Sequence, residues 1–166
     1  MHDSTTILLK YNGERSDIDI NRIKGLLKDF LHSDDTYMPC FLLKENKKED
    51  IAYGLEYYDE LIRCIDEIKA MNSHKTIDRR PFHLIVELNE TMQKRMEYLL
   101  CKGYIGDDTQ LFDLLDEVKQ KAIMLQSFVL KYNMTADTRS LGKMQSYIGE
   151  LKTLQKYVFG KCNQAL

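Results

Sequence analysis

From Leu111 to Tyr132 the apolar residues Leu111, Leu115, Val118, Ala122, Leu125, Val129 and Tyr132 recur at steps of four, three, four, three, four and three. That spacing puts them on one face of an α-helix. Asp113, Asp116, Lys119, Gln120, Gln126, Ser127 and Lys131 fall on the other face. Such a helix runs roughly 35 Å at ~1.5 Å per residue, so its apolar stripe needs partners of similar length. Asp107 followed by Gln110 reads as a capping box at its start.

Three further segments repeat the pattern. The spacing predicts a helix from near Lys48 to about Asn72 on Ile51, Leu55, Tyr58, Ile62 and Ile65, widened by Leu61 and Ile68. A last helix runs from Asp137 or Thr138 to Phe159 on Leu141, Met144, Ile148, Leu151, Leu154 and Val158. Phe82 to Leu88 alternates like a strand. Ile85, Leu88, Met92, Met96 and Leu99, however, keep helical spacing as far as Leu100, with Gly103 as a stop, and this length favours a helix. A strand followed by a helix from Asn89 is the alternative. A shorter helix, N-capped by Ser16 or Asp17, buries Ile20, Ile23, Leu27 and Phe30 and ends by Ser33.

Ahead of it, residues 4–11 are aliphatic and β-branched and end at the turn dipeptide Asn12-Gly13, which reads as a short strand-like arm. The run Cys40 to Leu43 after Pro39 fits either a short strand or a buried loop. The expectation is a mainly α protein: an antiparallel bundle of four long helices plus a shorter N-terminal helix and the arm, in one domain over residues 1–166. Short connections such as Gly103 to Asp107 force neighbouring helices to run antiparallel.

Composition adds little to the fold and removes several functions. Among 166 residues only two are Pro and eight Gly, and 43% are hydrophobic, which suits one ordered core. The net charge of −2 gives no global attraction to phosphate or to an anionic membrane. No apolar run approaches the ~20 residues of a membrane span, and the first residues lack signal-peptide features. The reading is a soluble cytoplasmic protein. Cys40, Cys64, Cys101 and Cys162 form no Cys-x-x-Cys pair, so they read as reduced, mostly buried thiols.

Candidate chemistry is sparse. Asp29 and His32, and likewise His83 and Glu87, share helix faces, but no Glu-x-x-His pair or His-Glu-x-x-His motif completes a metal site. No glycine pattern for cradling phosphate and no nucleophile elbow is present. The acidic group Asp107, Asp108, Asp113, Asp116 and Glu117 matches the positive end of a helix dipole. No catalytic residue, metal or cofactor is therefore assigned.

Two binding readings remain. Tyr53 and Tyr57 lie off the main apolar face of their helix and suit a protein interface. Arg79, Arg80 and His83 surround a helix N-terminus, where free N–H groups favour phosphate. Arg139, Lys143, Lys152 and Lys156 make the last helix locally basic. Gly142, Ser146, Gly149 and Thr153 add a stripe of small residues suited to close packing against the core or a partner. The favoured expectation is a non-enzymatic helical module, a regulator, adaptor or inhibitor, that binds a protein partner or self-associates. The alternative is a bundle that binds or cleaves nucleic acid through the basic positions.

Overall fold

The computed structural model describes residues 18–34, 52–71 and 75–166, which fold as five helices. These are α1 (Ile20–His32), α2 (Glu56–Ala70), α3 (Arg80–Cys101), α4 (Thr109–Thr135) and α5 (Arg139–Ala165). The protein is mainly α. Residues 4–11, read as a strand-like arm, and residues 40–43, read as a short strand or a buried loop, lie outside the described residues.

The long stripe of α4 is buried at all seven expected positions. Its N-cap is Asp108, one residue later than expected, with a carboxylate oxygen accepting from Leu111 N at 3.1 Å. Phe82 to Leu88 is helical throughout. Pro81 occupies the first turn of α3, where its missing N–H leaves no acceptor unpaired. Gly103, at φ +73°, closes the other end, with Tyr104 N donating to Leu99 O at 2.9 Å. The short loop then turns the chain back, and α3 and α4 lie antiparallel, as the pairs Gln126 with His83 and Lys119 with Gln93 show. Tyr147 against Met124 and Lys121 against Glu150 set α5 antiparallel to α4 in the same way.

The fourth corner of the bundle departs from expectation. The second helix begins at Glu56, later than the start expected near Lys48, and α1 and α2 lie in series along α5. Tyr58 bonds Gln155, Lys152 pairs with Asp59 at 2.7 Å, and Gln145 reaches Asp66 and the Ile62 carbonyl. Further along α5, Phe159 stacks on Phe30 of α1 with ring centroids 5.2 Å apart. α5, which packs against α4, α2 and α1, is therefore the hub, rather than α4.

The joint between α1 and α2 is made by backbone groups and one side-chain hydroxyl. Ser33, in the left-handed region at φ 59°, ends α1, and its hydroxyl accepts from Glu56 N at 3.1 Å. α2 has no side-chain cap of its own, so the residue that ends one helix caps the next. Leu55 N donates to Phe30 O at 3.2 Å. Gly54, at φ +50°, sits against the Phe30 carbonyl, where any Cβ would collide. The N-cap of α1 is Asp19, whose carboxylate accepts from Arg22 N, rather than Ser16 or Asp17.

The buried residues form one core, crossed by a polar chain. Tyr58 donates to Gln155 Oε1 at 2.7 Å, Gln155 Nε2 to Asn89 Oδ1 at 2.8 Å, and Asn89 Nδ2 to Ile85 O at 2.8 Å. The three side chains are at most 1% exposed, and the chain ties α2, α5 and α3 together. At the opposite end of α4, Asn133 behaves like a peptide unit: it accepts from Ile77 N and donates to Ile77 O, holding the approach to α3.

Candidate functional site

A groove of about 970 Å³ runs between α1 and α3, and it follows from the split fourth corner. α1 packs on α5 and leaves its α3 side open. Of the four apolar positions expected to be buried on α1, only Leu27 is; Ile20, Ile23 and Phe30 are half-buried. Leu27, Met92, Met96, Leu99 and Phe159 form a floor that is wholly apolar. The polar lining residues Asp19, Arg22, Thr91, Lys94 and Arg95 are all exposed and stand at the rim.

On the far wall α3 carries a second stripe beside its core face. Leu84, Leu88, Thr91, Arg95 and Tyr98 advance by four, three, four and three. Leu84 is 57% and Tyr98 52% exposed, although both are large and apolar in body. Leu84 and Leu88 also border a smaller hollow of about 330 Å³ at the α1–α2 joint, which shares Phe30 and Leu88 with the main groove. The arrangement is an apolar trough with a charged edge. No protein-family model matches this chain, and comparison with curated proteins and with solved structures gives no match either. The site is therefore described by its own geometry.

Of the two tyrosines singled out from sequence, Tyr57 borders the smaller hollow, while Tyr53 lines neither cavity and precedes the first turn of α2. Tyr57 lines the smaller hollow, stacks edge-on against Tyr58 and donates to the Pro81 carbonyl at 2.7 Å. Tyr53 is half-buried beside Gly54. Burial, and after it the charges of Asp78 and Cys64, push the Tyr57 phenol up to about 12. An unfolded tyrosine ionises near pH ~10. The folded chain therefore holds this proton more tightly, and the stability this contributes is complete below pH ~10 and is lost as pH rises through about 12. An ultraviolet alkaline titration of wild type and Tyr57→Phe is expected to differ by one late-ionising phenol. A difference near pH ~10 would contradict the buried hydroxyl.

The basic positions are dispersed or already paired. Arg80 grips Asp78 through Nε and Nη2 at 2.9 and 2.6 Å, and these bonds hold the Asp78 carboxyl below the usual carboxylate range. Arg139 and Asp137 repeat this arrangement at the start of α5. Lys152 is bonded to both oxygens of Asp59. Arg79, Lys143 and Lys156 are exposed. His83 stands between Glu87 and Gln126, 3.3 Å from each. Of the two tyrosines on α5, Tyr147 packs on Phe128 and Tyr157 is half-exposed.

The small-residue stripe does not pack against the core. A Cβ built on Gly142 or Gly149 meets nothing within 4 Å. Among the described residues the thiols also differ from expectation: Cys64 and Cys101 are exposed and Cys162 is buried, because the first two fall outside the core faces of α2 and α3, while Cys40 lies outside the described residues. Among the described residues, no group of three or more His, Cys, Asp or Glu side chains is placed to hold a metal ion. No described helix is long and apolar enough to cross a membrane.

Proposed function

We propose that this chain is a non-enzymatic helical interaction module, acting as a regulator, adaptor or inhibitor through a groove presented to a protein partner. The observation that carries the reading is the trough along α3, which no described residue fills. Its floor is made of Met, Leu and Phe side chains, and Tyr98 on its wall and Leu84 at the adjoining hollow are half-exposed. Large apolar side chains aligned along one open edge lose free energy to water that a partner would recover. Tyr57 closes one end of this surface and adds an aromatic anchor to it.

The competing use of Arg79, Arg80, His83 and the basic last helix on nucleic acid draws less support. Counterion release needs cations free to meet phosphate, whereas Arg80, Arg139 and Lys152 each face a carboxylate.

The test is capture by the tagged full chain from source lysate, with and without nuclease, beside a Leu84→Glu, Tyr98→Glu variant. A stoichiometric protein retained after nuclease and lost with the variant, at unchanged far-ultraviolet circular dichroism, is the expected result. Co-purifying RNA or DNA that the double variant still binds would overturn the reading in favour of the basic positions.

A further inference from the structure

We propose that the groove between α1 and α3 receives an amphipathic helix of the partner whose apolar face is flanked by acidic residues. The assignment rests on the interaction-module reading and names the occupant of that same surface.

Charge selects the occupant. The rim carries three cations, Arg22, Lys94 and Arg95, against one carboxylate, Asp19. That carboxylate already accepts from Arg22 N as the cap of α1. The cations come from both walls, Arg22 from α1 and Lys94 and Arg95 from α3, so a helix lying between them meets positive charge on each side. Acidic residues flanking its apolar stripe would pair on both edges, whereas basic ones would be repelled on both.

Dimension selects a helix. The open stripe from Leu84 to Tyr98 spans roughly 21 Å at ~1.5 Å per residue, about four turns of an incoming helix. Its four-and-three spacing presents ridges of the kind that receive an i, i+3, i+4, i+7 face. A small molecule is a poorer fit. Such ligands are oriented by polar groups converging inside a pocket, and every polar residue lining this groove is exposed at the rim.

The test uses the full chain and two labelled synthetic peptides of about fourteen residues. Both carry Leu at i, i+3, i+4 and i+7; one has Glu at the flanking positions and the other Lys. The chain variants are Leu26→Glu, at a groove residue that is 49% exposed, and Arg22→Glu with Arg95→Glu. Position 22 is the third residue of α1, where Glu is favourable, so folding is preserved. Fluorescence anisotropy is expected to show saturable binding of the Glu peptide, strengthened at low salt. Binding should be lost in Leu26→Glu and weakened roughly tenfold by the double charge reversal, which should bind the Lys peptide instead.

Binding that is lost in Leu26→Glu but indifferent to peptide charge keeps the groove and overturns the acidic partner. Binding that survives Leu26→Glu, or no saturable binding of either peptide, overturns the groove as well. A lowered melting temperature in Leu26→Glu would show that the chain itself fills the groove and would also overturn the proposal. So would capture by phosphatidylserine vesicles, lost in the same variants, with no peptide bound.

Discussion

Gly54→Ala is expected to cost about 3 kcal/mol and to lower the melting temperature by about 10 °C, the largest loss among alanine substitutions at the described glycines. Two effects combine there. The backbone is left-handed at φ +50°, which disfavours any L side chain. The added Cβ would also stand 2.9 Å from the Phe30 carbonyl carbon and closer still to its oxygen. That oxygen is the acceptor for Leu55 N, so the obstruction is rigid backbone that cannot swing away. Relief requires α2 to withdraw from α1, which breaks the Ser33 cap on Glu56 N as well.

Gly103→Ala is the control. Its φ is +73°, but a Cβ there meets nothing within 4 Å, so only the conformational cost of about 1 kcal/mol applies. Equal losses at the two glycines, measured by denaturant unfolding, would show that the close approach of α2 to Phe30 does not hold in solution. A loss confined to Gly54 would show that the joint between the two short helices sets the stability of the fourth corner. That corner is one wall of the groove, so the variant should also weaken whatever binds there.

The helices were legible in the sequence wherever burial alone sets the pattern. All seven α4 positions were readable because that helix is covered by partners on one continuous face. The limits of α2 were not. Apolar residues continue with helical spacing back to Ile51, while a glycine forced left-handed by contact with another helix ends the run at Gly54, and that contact is tertiary. The groove was half legible. The 84, 88, 91, 95, 98 stripe stands in the sequence, but it overlaps the core stripe at Leu88 and becomes a separate surface only because α1 packs on α5. Tyr57 was readable as lying off the main face, whereas its bond to Pro81 was not.

α5 shows the same limit from the other side. Its buried positions include 141, 144, 148, 151, 155, 158 and 162, in steps of three and four, with Phe159 buried beside them, but the seat after Leu151 holds Gln155, with Leu154 next to it half-buried. Choosing residues by hydrophobicity moves the stripe by one position; choosing them by period alone places a glutamine in the core. Period is the better guide here, because Gln155 arrives with both its partners.

Gln155→Leu keeps the volume of that seat and removes its polarity, and it is expected to cost about 3 kcal/mol. The Tyr58 hydroxyl would lose its acceptor and Asn89 Oδ1 its donor, both fully buried, and an unpaired buried polar group costs about 1–3 kcal/mol. Removing the whole chain should be far milder than removing its middle. The triple variant Tyr58→Phe, Gln155→Leu, Asn89→Leu leaves no orphaned partner among the three side chains and should recover most of the stability. Denaturant unfolding of the singles and the triple measures the coupling directly. Additive losses would mean that the three side chains act separately. Recovery raises a further question that hydrogen exchange answers. Among the described residues, α2 is aligned on α5 by the Tyr58 bond and by ion pairs and bonds nearer the surface. With the buried bond gone, a slippery apolar contact remains. A triple variant that melts like wild type, yet exchanges its α2 amides faster, would show that the polar chain fixes which turn of α2 faces which turn of α5. Through the α1 joint it would also fix the width of the groove.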